Sequence, residues 1–196
     1  MIGMPPLSCS GCVSCDKASV VMEETLDSRV AFSGRALTLE VLSIDIGEGR
    51  RSLREIIRHP GAVVVIAERS DGMFVFVKQY RKAIEAMLLE AVAGTLEPDE
   101  DPLDCAVREL QEESGYIAES MVSLGKIVPA PGYSSEILYI FYARLGAQAG
   151  SVSPDEDERI EVVHLTRAEV EHAIDQGELW DSKTLAAWLL YARSAV

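Results

Sequence analysis

Residues 62–68, AVVVIAE, form an unbroken β-branched run. A strand with one wet face alternates apolar and polar residues, so this run predicts a strand covered on both sides. Further strand patterns occur at 35–46 (RALTLEVLSIDI), 52–59 (SLREIIRH), 73–80 (MFVFVKQY), 121–130 (MVSLGKIVPA), 136–145 (EILYIFYARL) and 160–165 (IEVVHL). Turn signals separate several of them: GEGR at 47–50, PG at 60–61 and RSDG at 69–72. After residue 165 the period becomes helical. Thr166 and Glu169 have capping-box spacing, and a second apolar-faced helix starts at the Asp181–Ser182 cap. With one more helix embedded near 101–115, the pattern predicts an α/β sandwich of the α+β kind, not a doubly wound sheet.

At 196 residues the chain is long enough for one domain with a proper core. Its formal charge of −14 argues against nucleic-acid or anionic-membrane partners, which require a basic footprint. A small anionic ligand stays compatible, because metal ions and a few arginines can reverse the field locally. No apolar run approaches the roughly 20 residues of a membrane span. The N-terminus lacks the n- and h-regions of a signal peptide, so the expected location is cytoplasmic. Residues 1–18 are aperiodic and read as a flexible leader containing Cys9, Cys12 and Cys15. Three thiols at this spacing lack the fourth ligand usual for zinc, and reduced cytosolic thiols are the favoured reading over a zinc site.

The densest chemistry lies in GTLEPDEDPLDCAVRELQEESGY, residues 94–116. Asp101 can cap a helix with Pro102 at its first position, and Gly115 is a natural stop. Leu103, Ala106, Val107 and Leu110 would form the buried stripe, with Glu109, Glu112 and Glu113 gathered on another side. Carboxylates three and four apart repel by a few tenths of a kcal/mol per pair. Either this is a solvated acidic face, or a hard divalent cation turns the repulsion into shared attraction.

The fuller spacing favours the cation. Gly94, Glu100, Arg108, Glu109, Glu112, Glu113 and Gly115 fill every fixed non-apolar position of G-x5-E-x7-R-E-U-x-E-E-x-G-U, with Tyr116 in the last apolar slot. The segment resembles the box of the Nudix hydrolases. That resemblance spans roughly residues 35–190. It implies an α/β/α sandwich with a mixed sheet plus N-terminal strands, and cleavage of a diphosphate linked to another moiety with Mg²⁺ (or Mn²⁺). It also implies metal ligation by Glu109, Glu113, Glu112 and the Ala93 carbonyl, with Arg108 orienting carboxylates and Glu100 pairing with Arg108.

The flanks narrow the resemblance to the ADP-ribose pyrophosphatase group. APGYSSE at 130–136 places Pro131 and Gly132 in that group's turn, fifteen residues beyond Tyr116. REIIRHPGAVVVI (54–66) and VKQYRKAIEAMLLEAVAG (77–94) are also similar, which implies substrate-binding roles for Arg54 and Arg81. PDEDERIEVVHL (154–165) resembles a loop carrying the general base, here Glu156, and another metal carboxylate, Glu158, with Glu136 as rival base. The implied reaction converts ADP-ribose or a related ADP-sugar to AMP and ribose 5-phosphate. The alternatives are another nucleotide sugar such as GDP-mannose, or a nucleotide-sensing module without catalysis. The resemblance further implies a homodimer formed through an N-terminal strand region (19–59), followed by the catalytic domain (60–196).

Overall fold

The computed structural model describes residues 23–35, 37–146, 150 and 160–196. Strands β1 (Glu24–Ser33), β2 (Thr38–Asp45) and β3 (Arg51–Arg58) form an antiparallel N-terminal sheet in that order. The β2–β3 turn is the GEGR segment, where Gly47, Glu48 and Gly49 all have positive φ. Strand β1 lies outside the strand patterns read from the sequence. All ten of its residues are exposed and two register shifts interrupt its pairing, so no burial imposes an alternation on it.

The second sheet contains β4 (Ala62–Arg69), β5 (Phe74–Arg81), β6 (Ala86–Thr95), β7 (Ala118–Ile127), β8 (Leu138–Leu145) and β9 (Ile160–Leu165). Their spatial order is β7-β8-β4-β6-β5-β9, and only β4–β8 is parallel, so the sheet is mixed. Strand β6 takes up MLLEAVAG, a stretch without a strand assignment at the sequence level. Pairing with β5 and β4 fixes it there.

Helix α1 (Pro102–Ser114) covers one face, and α2 (Arg167–Asp175) and α3 (Ser182–Arg193) cover the other. Ala62 to Ala67 are all buried, as the β-branched run requires. Val63, Val65 and Ala67 pack with Cys105, Ala106 and Leu110 of α1. Val64 and Ile66 pack with Val170 of α2 and with Ala187, Trp188 and Tyr191 of α3. The fold is therefore the expected α/β/α sandwich, with a mixed sheet and, among the described residues, three helices and added N-terminal strands. No described helix is long and apolar enough to cross a membrane.

Both ends of α1 follow local chemistry. The Asp101 carboxylate accepts from the Leu103 N–H at 2.8 Å, Pro102 opens the helix, and Gly115 closes it at φ 74°. The expected stripe needs correction: Leu103 and Val107 are exposed at 43% and 42%. Ala106 and Leu110 are buried as expected, and Cys105, Glu113 and Ser114 are buried with them. The helix is rolled so that Glu113 points inward, and burial lifts the Cys105 thiol to about 12. Tyr116 also fits its apolar slot, because its buried ring carries a hydroxyl 3.0 Å from His164 Nε2 on β9.

Candidate active site

A cleft of about 490 Å³ opens where α1, the end of β6 and the start of α3 converge. Ala93, Gly94, Arg108, Glu109, Glu112 and Glu113 line one part of it; Arg81, Glu136 and Lys183 also border it. Carboxylates and cations thus face the same space.

Gly94 decides how closely α1 approaches the sheet. A Cβ there would lie 1.8 Å from Glu109 Cδ and 2.0 Å from Oε1. Only glycine leaves room for the Glu109 carboxylate against the β6 backbone. Glu113, 3% exposed, accepts from the Ala93 N–H at 3.2 Å. Strand β6 therefore seats both acids, one by a missing side chain and one by a backbone donor.

Arg108 balances the remaining repulsion. Its Nε and Nη2 grip Glu100 at 2.9 and 3.0 Å, while Nη1 reaches Glu109 at 2.8 Å and Glu112 at 2.9 Å. The first of these pairings, with Glu100, contributes most to raising the Arg108 pKa. Glu100 also accepts from the Glu97 N–H at 2.9 Å, and its pKa falls to about 2, chiefly through Arg108. Bidentate arginine bonds are the stronger kind, so Arg108 tethers α1 to the loop before it.

Among the described residues, no three His, Cys, Asp or Glu side chains are assembled as a metal-holding group. Arg108 Nη1 pairs with both Glu109 and Glu112. The donor set still fits a hard cation. Glu109, Glu112 and Glu113 are oxygen donors on one helix beside the same cleft, and Gly94 makes the pocket that receives one of them.

The remaining assigned residues are placed as follows. Arg81 lines the cleft, but its Nε and Nη2 are engaged by Glu90 at 2.8 and 2.6 Å. Glu136 also lines it, with His59 Nδ1 3.7 Å from its carboxylate. Pro131 and Gly132 form a turn tied to β3: Ile57 N–H donates to Tyr133 O at 2.8 Å, and Ser135 N–H donates to Ile57 O at 3.0 Å. Arg54 sits on β3 with its guanidinium on Glu23 and Ser52, and it is not among the residues lining this cleft. Glu156, Glu158, Cys9, Cys12 and Cys15 lie outside the described residues. Sequence reasoning missed Lys183, Glu90 and Glu97. A lysine just inside a helix start carries no periodic signal, and Glu90 sits in a segment with no strand assignment.

The acid-bearing helix packs on a face of the sheet, and its carboxylates, at the box spacing, border a cleft that cationic side chains also line. Residues 57–188 match the NUDIX domain, and the chain belongs to the Nudix hydrolase family. It is 40% identical over 166 residues to the methanol dehydrogenase activator of Bacillus methanolicus, covering 84% of this chain and 90% of that one. Identity to the ADP-ribose pyrophosphatase of Bacillus subtilis is 37% over the same length and coverage. The GDP-mannose pyrophosphatase of Yersinia enterocolitica is 34% identical over 151 residues, or 72% of this chain and 78% of that one. The crystal structure of an ADP compounds hydrolase superposes with a TM-score of 0.75 at 24% identity, covering 87% of this chain and 92% of that one. This last likeness establishes the fold.

Proposed function

We propose that this protein is a Mg²⁺-dependent diphosphatase that converts ADP-ribose, or a related ADP-sugar, to AMP and ribose 5-phosphate. One observation carries the reading: the box carboxylates Glu109, Glu112 and Glu113 and the cationic side chains Arg81, Arg108 and Lys183 border a single cleft. Carboxylates suit a divalent ion, cations suit phosphate oxygens, and a diphosphate bound with metal needs both. The relative at 37% identity named for ADP-ribose supports the substrate. GDP-mannose is the second reading, favoured by the relatives named for it.

In this reading Glu109, Glu113 and Glu112, with the Ala93 carbonyl and Glu158, hold Mg²⁺ or Mn²⁺. The ion supplies charge neutralisation at the diphosphate and activation of water. Glu156 accepts the water's proton, worth typically about 10²–10⁴-fold, and Glu136 is the rival for that role. Arg81 orients phosphate oxygens, and the Pro131–Gly132 turn shapes the rim. The N-terminal strand region 19–59 forms a homodimer, and the second copy brings Arg54 toward the substrate; residues 60–196 form the catalytic domain.

The test is a panel of ADP-ribose, ADP-glucose, GDP-mannose, NADH and diadenosine polyphosphates with Mg²⁺, and products resolved by chromatography. ADP-ribose should give the highest kcat/KM with AMP as a product. GDP-mannose ranking first would transfer the assignment to the second reading, and no turnover of any member would refute diphosphatase activity.

A further inference from the structure

Glu90 lies on β6 at 1% exposure, behind the cleft lining and not in it. Yet it holds two cations that do line the cleft. Arg81 donates to it through Nε and Nη2 at 2.8 and 2.6 Å, and Lys183 of α3 donates to the same Oε2 as the Arg81 Nη2 group. Lys183 also donates to Asp181 at 2.9 Å. Asp181 in turn caps α3, accepting from the Thr184 N–H at 3.0 Å and from its hydroxyl at 2.6 Å. Thr184 Oγ1 accepts from the Ala91 N–H at 2.9 Å. The first turn of α3 is therefore fastened to β6 at two successive residues.

Burial opposes the Glu90 charge, and the bonds from Arg81 and Lys183 overcome it, so the carboxyl lies below its usual pKa. Glu90 and Asp181 offset Arg81 and Lys183, leaving the quartet neutral. What this wall offers an anion is the orientation of donors, not net positive charge. The Glu90 bonds use Arg81 Nε and Nη2, which leaves Arg81 Nη1 for a ligand, together with the third Lys183 proton beyond those on Glu90 and Asp181.

We propose that Glu90 is a positioning residue for the phosphate-bearing part of the ligand, locking the Arg81 fork and the Lys183 ammonium at the cleft so that their remaining N–H groups meet phosphate oxygens. The ligand class rests on the diphosphatase reading; the positioning itself rests on the buried quartet. The sign of one substitution separates positioning from simple electrostatics. Glu90→Gln removes a negative charge from behind the cleft, so a field effect alone would tighten anion binding. Positioning predicts the opposite, because one amide oxygen cannot serve both cations and its NH₂ opposes a donor.

The full-length protein, freed of metal with EDTA, is titrated calorimetrically with inorganic pyrophosphate and with ADP-ribose, and the Tm of each variant is recorded. The wild type should bind both ligands, and E90Q should bind both at least about tenfold more weakly. In an Arg81→Ala/Lys183→Met background, adding E90Q should change affinity by less than about twofold, since its targets are gone. Unchanged or tighter pyrophosphate binding by folded E90Q would overturn the inference, as would undetectable binding by the wild type. Should E90Q not fold, Glu90→Asp keeps the charge and shortens the reach. Tenfold weaker binding by E90D then supports positioning, and wild-type affinity overturns it. Pyrophosphate affinity decides the inference whatever the ADP-ribose turnover assay returns, so the two readings fail separately.

Discussion

Glu109 occupies the volume that a side chain at Gly94 would fill, with its Cδ 1.8 Å from the missing Cβ. The helix and strand meet at that point with no spare room. Gly94→Ala must therefore push Glu109 out of its seat. We expect kcat/KM to fall on the order of 10²-fold, with a moderate stability loss of about 1–3 kcal/mol. Steady-state kinetics and chemical denaturation of the purified variant check both.

Glu113 is buried and accepts from the Ala93 N–H, so its carboxyl is held in one place at the cleft. Glu113→Gln keeps the shape and an acceptor for that N–H but removes the charge. The fold should survive, with turnover reduced by about 10² or more at saturating Mg²⁺. Near-wild-type turnover would refute its assignment as a metal ligand.

Glu100 gives a pH signature. Its folded pKa of about 2 lies below the ordinary value of 4.5, chiefly through the Arg108 bond. A depressed carboxyl stabilises the fold above its unfolded pKa and loses that contribution as pH falls toward the folded value. Glu100→Gln should lower Tm by roughly 3–8 °C at pH 7. That gap should narrow as pH falls from about 4.5 toward 2. A gap of constant size across scans from pH 7 to pH 3 would contradict the linkage.

The choice of base is tested by comparing Glu156→Gln with Glu136→Gln. The first should lower kcat by about 10²–10⁴-fold with little change in the Mg²⁺ dependence. A larger kcat effect from Glu136→Gln would move the proton acceptor to the cleft lining.

Val30 and Phe32 on β1 are exposed at 61% and 57%, and Leu53 on β3 at 64%. Apolar side chains on a three-stranded sheet suit burial against a second copy. Sedimentation should give a dimer at micromolar concentration. Phe32→Glu should weaken it by one to two orders of magnitude, as expected when about 1.5–3 kcal/mol of burial is lost. A monomeric wild type would remove the dimer.

Some of this architecture follows from local sequence alone. The AVVVIA run required a doubly covered strand, and β4 is that strand. Asp101, Pro102 and Gly115 set both ends of α1, and Thr166 with Glu169 set the start of α2, because capping chemistry acts within one turn. Glu109, Glu112 and Glu113 fall together at the box spacing for the same reason: these three lie on one helix.

The tertiary structure decided the rest. Which side of α1 is buried depended on the sheet it met, and contact with β6 drew Glu113 inward while leaving Leu103 and Val107 outside. The cationic wall depended on strand register and helix docking. Glu90 meets Lys183 across 93 positions of sequence, and periodicity carries no record of a contact that distant. Sequence fixes what neighbours within a turn or a strand can do; the pairing of charges across the sandwich waits until burial has chosen how the layers sit.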